Sequence, residues 1–313
     1  MAVEWKWLRH QVPVRLPDDG LKMSDGKDYS VILFHGLTGT PSEFAYIAHY
    51  LNRRSKFSVW CPRLVNHGQP LAILACTRWR QLLNSARAYV EEASREARLS
   101  GQSLVVGGLS LGAILALMLG AEMPEEIAGV ICLSPTLFYD GWNVPWIHKL
   151  LPFIDYTPLK YFAYYREEPP FGLKDEILRK KIAAQYETMS LRDSGDAAAL
   201  GYAHFPVRLF CEARHLITKC IRELPRMLAP LLLVQAENDE ATSPRNSQFI
   251  HQRVGSKQKE IIMLQDSYHV VTADLERARV AAEIERFCHS VAVPGRGASA
   301  CDTKGLLSAG QQG

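Results

Sequence analysis

The chain has 313 residues, 47% of them hydrophobic and 22% charged, with a formal net charge of +3 and a pI near 8.4. The length suits one large domain or two small ones, and the composition is that of an ordinary globular protein, not a fibrous or disordered one. The charge balance is too mild, and the basic residues too scattered, to argue for nucleic acid.

In chain order, the first twenty residues hold no apolar run fit for a signal peptide, so a cytoplasmic location is expected. Val31–Phe34 (VILF) reads as a strand. Pro41–Arg54 follows as a helix, with Thr40 as its N-cap and Pro41 at the first helical position. Phe57–Trp60 is the next strand. Thr77–Leu99 is a long amphipathic helix, with Trp79, Leu82, Leu83, Ala86 and Val90 along one side. Leu104–Val106 is a strand that runs into a helix at Ser110–Met123, and Gly129–Leu133 is a strand again. Later strands fall at Leu231–Val234 and Glu260–Leu264, with helices near Pro244–Val254 and over Asp274–His289. Alternating strands and helices imply a mostly parallel sheet covered by helices on both faces, an α/β fold.

Two stretches break this rhythm. Ser103–Ala121 carries no charge and is long enough to span a bilayer, but its glycines divide it into a strand, a turn and a helix, so it reads as buried core and no membrane span is expected. Thr136 to His204 is too long for a loop, dense in aromatics from Phe138 to Tyr165, then charged and helical through Lys174–Glu187. It reads as an inserted helical cap in which most of the aromatics pack against one another. The expected organisation is a core over residues 1–135, a cap over 136–204, a second core part over 205–290, where Phe205–Met227 leads back to the sheet as a helix, and a disordered Gly/Ala/Ser-rich tail over 291–313.

The chemistry concentrates in four places. Gly108-Leu109-Ser110-Leu111-Gly112 is a GxSxG pattern between a strand and a helix, the context in which a sharp turn presents a serine nucleophile. His35-Gly36-Leu37-Thr38-Gly39 follows the strand VILF. An acyl-transfer site needs two backbone N–H groups aimed at the developing oxyanion, and Leu37 and Leu111 are the expected donors. His35 itself is expected to be structural. The base could be His67, His251 or His269; His269 is preferred because it follows the last strand, where the chain order serine, acid, histidine places it. For the acid, Glu237, Asp239 and Glu240 all follow the strand LLLV. Asp239 is favoured as a short carboxylate able to meet the imidazole Nδ1–H, Glu240 is expected to point away, and Asp266 is the weaker choice, a turn residue. Seven cysteines without a CxxC pair predict free thiols in a reducing compartment. No Cys/His cluster has ligand spacing, so neither metal nor cofactor is expected.

With these residues in place, the chain resembles the carboxylesterase and monoacylglycerol-lipase branch of the α/β-hydrolases, most of all small bacterial carboxylesterases. The resemblance runs from Val31 to Phe287 and rests on HGLTGTP at His35–Pro41, GLSLG at Gly108–Gly112, QAENDEATSP at Gln235–Pro244 and SYHVVTAD at Ser267–Asp274. It implies Ser110 as nucleophile, Asp239 as acid, His269 as base and the N–H groups of Leu37 and Leu111 as oxyanion donors. Asn66-His67-Gly68 stands where the family often has Gly-His-Gly, and Ala113 where a further glycine is frequent.

The expected reaction is hydrolysis of a small ester with an apolar acyl group, through an acyl-enzyme on Ser110. Thioesterase, acyltransferase and amidase chemistry use the same machinery, and a binding protein with little turnover is a rival of another class. An unperturbed histidine base predicts activity rising through one ionisation between about 6 and 7.5.

Overall fold

A computed structural model describes residues 20–189 and 201–291. The tail assigned to 291–313 lies outside these residues except for Val291. Seven strands form one sheet: β1 Gly20–Met23, β2 Tyr29–Phe34, β3 Ser58–Pro62, β4 Ser103–Leu109, β5 Gly129–Leu133, and, after an insertion holding β6 Tyr164–Arg166 and β7 His204–Pro206, β8 Leu231–Ala236 and β9 Lys259–Leu264. Their order is β1-β3-β2-β4-β5-β8-β9, parallel except for the edge pair β1–β3.

The helices are α1 Ala45–Arg53, α2 Leu71–Leu74, α3 Trp79–Leu99, α4 Leu111–Glu122, α5 Leu151–Ile154, α6 Glu176–Thr188, α7 Val207–Glu223, α8 Arg245–Arg253 and α9 Arg277–Ser290. Strand alternation divides the core between the two faces. Ile32, Phe34 and Val106 face α3, α4 and α7, whereas Val31, Leu33 and Val105 face α1 and α9. Helix α4 is buried on every side, as its all-round apolar sequence requires. No helix among the described residues is long and apolar enough to cross a membrane.

Several sequence expectations shift at their ends. Pro41–Phe44 is a 3₁₀ turn leading into α1, and Thr40 makes no side-chain cap to it. The expected helix from Phe205 begins at Val207, because Phe205 and Pro206 belong to β7. The insertion is less helical than expected. It contains 3₁₀ turns at Trp146–Leu150 and Pro158–Tyr161, and Tyr164–Arg166 pairs antiparallel with His204–Pro206. Its aromatics are also less packed than expected. Phe138 and Tyr139 contact Phe249 and Phe210, but Trp142, Trp146, Phe153, Tyr156, Tyr161 and Phe162 are exposed.

Candidate active site

Ser110 stands between β4 and α4 with φ +57° and ψ −114°, a left-handed backbone that a residue with a Cβ rarely adopts. Two glycines make the turn possible. A Cβ on Gly108 would lie 2.3 Å from the carbonyl carbon of Gly112, and one on Gly112 would lie 1.9 Å from the Phe34 oxygen. The serine N–H donates to Leu133 O at 2.9 Å, which ties the elbow to the end of β5. Its Oγ meets Thr136 Oγ1 at 2.8 Å.

Across the same cavity, His269 follows β9. Its Nδ1 donates to the Asp239 carboxylate, at 2.9 Å from Oδ2 and 3.0 Å from Oδ1. With the proton on Nδ1, Nε2 of the neutral ring is an acceptor. Asp239 is buried, and its oxygens also accept the Ala241 and Thr242 N–H groups, Gln235 Nε2 and Thr242 Oγ1. The carboxylate is therefore fixed in orientation and fully partnered, as a buried charge must be.

The loop after β2 is held from both sides. The Gly36 N–H donates to Glu43 Oε2 at 3.0 Å, while the Gly36 carbonyl accepts from His35 Nδ1 at 2.9 Å and from the Gly39 N–H at 3.3 Å. The Leu37 N–H, on the opposite side of that trans peptide from the Gly36 carbonyl, points the other way, and Leu37 lines the cavity with Ser110. Leu111 is the first residue of α4, where the N–H has no partner within the helix. His35 Nε2 accepts the Leu64 N–H at 3.1 Å, so the buried ring is neutral and structural; burial, then the neighbouring His67, holds its pKa well down. His67 is buried too, with Nε2 2.9 Å from the Leu37 carbonyl, and burial lowers its pKa. It braces the loop but is absent from the cavity wall, as is His251 on α8.

The cavity has a volume of about 470 Å³ and sits at the carboxyl ends of the strands, within the usual range for small-molecule sites. The loops after β2, β4, β8 and β9 form its floor. Leu151, Ile154 and Leu159 from the insertion, with Phe205 and Phe210, form an apolar wall.

One expectation is overturned here. Glu240 does not point away: it is buried and lines the cavity, and its Oε2 accepts the His269 N–H at 3.1 Å. Burial, with the Asp239 charge adding and His269 opposing, pushes its pKa up to about 7. Burial likewise raises Glu43 to about 7, and burial with the Glu240 charge raises the half-buried Glu167 to about 8. Burial alone would depress His269. The Asp239 charge and hydrogen bond, with Glu240 and Glu43, outweigh it and hold that pKa up at about 9, above the window expected for an unperturbed histidine. Glu237 is exposed, and Asp266 is an exposed residue 2.9 Å from Lys174 Nζ. Sequence reasoning did not single out Thr136 or Glu43, and it named Glu240 but set it aside. Thr136 alone had an available signal, its place just beyond the strand beside the serine elbow.

A sheet of this order, with a serine on a strained strand-to-helix turn and a histidine–aspartate pair on the loops after the last two strands, defines an α/β-hydrolase. The chain belongs to the Hydrolase_4 family, described as serine aminopeptidase, S33, which matches residues 26–276. It is 26% identical over 250 residues to a thermostable monoacylglycerol lipase of Bacillus sp. (strain H-257), covering 80% of this chain and 86% of the relative. It is 23% identical over 267 residues to a carboxylesterase of Bacillus subtilis (strain 168), covering 84% and 93%. Among solved structures, one from work on the metagenome-derived lipolytic enzymes LipS and LipT superposes with a TM-score of 0.71 at 24% identity, covering 88% of this chain and 99% of the other.

Proposed function

We propose that the chain hydrolyses carboxylic esters through an acyl-enzyme on Ser110, with His269 as general base and Asp239 as the acid that orients it. The observation that carries this reading is the 2.9 Å bond from His269 Nδ1 to Asp239, in the cavity that also holds the elbow serine. In the resting site Thr136 holds the Ser110 hydroxyl. Rotation about Cα–Cβ delivers the oxygen to the ester carbonyl and its proton to His269 Nε2, while Asp239 stabilises the imidazolium. The N–H groups of Leu37 and Leu111 receive the oxyanion. The alcohol departs with the proton from His269, and a water then repeats the sequence to release the acid. Residues 136–204 act as a cap whose inner face holds the acyl chain, and the free thiols of the six described cysteines support a cytoplasmic setting.

The family description raises a second reading, cleavage of an amide beside a free amine, and Glu43, Glu167 and Glu240 in the cavity wall could face an ammonium. The apolar wall of Leu151, Ile154, Leu159, Phe205 and Phe210 favours an acyl chain over it. Esters of one alcohol, from acetyl to dodecanoyl, and the matching amino-acid anilides test both readings. Each methylene removed from water adds about 0.8 kcal/mol, roughly fourfold. The expected result is kcat/KM rising to about hexanoyl or octanoyl and then falling, with anilides far slower. Anilides as the best substrates would replace the ester reading, and a best rate on acetyl would remove the acyl-binding role of the cap.

A further inference from the structure

A second cavity, of about 290 Å³, shares part of its wall with the first. It is built from α7, from the 3₁₀ turn Trp146–Leu150 with α5, and from the residues that follow β5. Leu137, Leu151 and Ile217 are buried and give it an apolar lining. Lys149 and Arg214 also stand in its wall, and neither Ser110 nor His269 does. We infer that this cavity binds a single-chain aliphatic carboxylate, with the head group on Lys149 and Arg214 and the chain against Leu137, Ile217 and Ile221.

Charge is the first argument. Among the described residues that line the cavity there is no carboxylate. The acids on the elements around it are engaged elsewhere. Asp140 accepts the Ser243 N–H and hydroxyl, each at 2.8 Å, and Glu212 accepts the Trp79 N–H. Glu223 meets Arg226 at 3.0 Å and Lys219 at 3.6 Å. Asp155 is held by Lys160 at 2.9 Å and His215 at 3.0 Å, while Arg214 stands farther off, at 3.9 Å. A guanidinium has five N–H donors in a planar fork that matches a carboxylate, so this distant pairing leaves Arg214 donors for a ligand.

The second argument is the combination of that charge with an apolar floor. A small inorganic anion would leave Leu137, Ile217 and Ile221 uncovered, whereas an alkyl chain takes them out of water at roughly fourfold in affinity per methylene. The volume lies at the lower end for ligand sites and suits one short chain, not a two-chain lipid. The third is position. Tyr139, His148 and Leu151 line both cavities, and Tyr139 packs on Phe210 of the acyl wall at 5.5 Å between ring centroids. An acid seated in the second cavity therefore leans on side chains that bound the first. Ester cleavage releases an acid of this class, so the inference extends the ester reading, but binding itself requires no turnover.

Calorimetric titration of the full chain with octanoate, octanol and acetate tests the site, and its failure is distinct from failure of ester cleavage. Octanoate is expected to bind and acetate to give no detectable heat, since acetate lacks the chain. The catalytic cavity could also admit octanoate, so the deciding variants are Lys149→Gln and Thr218→Trp, which line the second cavity and not the first. Lys149→Gln, at an exposed side chain, is expected to weaken octanoate about fivefold and leave octanol unchanged, because it removes charge alone. Thr218→Trp, at an exposed position on α7, places an indole in the cavity and is expected to weaken octanoate by about tenfold or more. Both variants, verified as folded by circular dichroism, should hydrolyse a water-soluble acetyl ester within about twofold of the parent. No octanoate binding by the parent would overturn the inference. So would octanoate binding that both variants leave unchanged, which would put the acid in the catalytic cavity alone, or a Lys149→Gln effect equally large on octanol.

Discussion

Five donor groups converge on the two oxygens of Asp239, and one of them, His269 Nδ1, decides which face of the imidazole is basic. In Asp239→Asn an amide NH₂ would compete for that position and favour the tautomer with the proton on Nε2, which cannot take one from Ser110. The rate is expected to fall by about four orders of magnitude, while Glu237→Gln, at an exposed side chain, stays within about tenfold of the parent. Steady-state kinetics on folded variants decide the ranking, and the reverse order would move the acid to Glu237. In the proposed mechanism the carboxyl cluster sets the pH dependence. The base must be neutral, so activity rises as pH passes the His269 pKa, and a value held up near 9 moves that rise to the alkaline side. Glu240, at about 7, ionises first, so its charge is present while the histidine titrates. Glu240→Gln keeps an oxygen for the His269 N–H but removes that charge, and the kinetic pKa is expected to drop by about one unit. An unchanged profile would show that Glu240 has no electrostatic part. The sequence singled out Ser110, Asp239 and His269 by residue chemistry and chain order, and the structure brings His269 into contact with Asp239 and into the cavity with Ser110. The sequence hid the place of Glu240, since a glutamate beside two other carboxylates in a loop looks solvated until the insertion closes over it.

The insertion is stitched to the loops that carry Asp239 and His269. At its start, the Gly141 and Asn143 N–H groups donate to the Ala241 and Glu240 carbonyls, and Trp142 Nε1 donates to Asn238 O. Further on, the Gly172 carbonyl accepts the Val270 N–H, and Asp274 ties two segments together. Fully buried, Asp274 accepts the N–H groups of Lys174 and Asp175 at the head of α6, that of Tyr268 beside His269, and its neighbour Leu275. Asp274→Asn sets an amide donor against N–H groups it cannot accept, at a cost of about 1–3 kcal/mol for each one left unpaired. Stability by urea unfolding is expected to fall by about 2–4 kcal/mol, with kcat reduced and KM raised together, because base loop and cap helix loosen as one. Asp266→Asn, at an exposed side chain only eight residues away, should change neither, and an equal effect at both positions would remove the special role of Asp274. The buried parallel strands were readable as continuous apolar runs. Strand β1 was not, since Gly20 is its sole buried residue, and β6 and β7 were not, since three-residue strands paired across some forty residues of chain leave no local period.

For the molecule as a whole, one sheet serves two purposes. Its faces bury separate apolar clusters against α3, α4 and α7 and against α1 and α9, and this fixes the strand ends rigidly. Its carboxyl edge then gathers residues from opposite ends of the chain, with Leu37 after β2, Ser110 after β4, Thr136 after β5, Asp239 after β8 and His269 after β9. The insertion leaves the sheet after β5 at that same edge, so its inner wall and the reactive residues share one cavity. The strain at Ser110 is sustained because the surrounding packing leaves that turn no alternative. The most direct measurement is kcat/KM for a hexanoyl ester with the parent chain and with Ser110→Ala, each verified as folded by circular dichroism. The substitution removes one oxygen and disturbs no buried partner except Thr136. A loss of about a thousandfold or more is expected, with unchanged secondary structure and unfolding midpoint. Turnover within about tenfold of the parent would contradict the assignment of Ser110 as the nucleophile, and with it the acyl-enzyme mechanism.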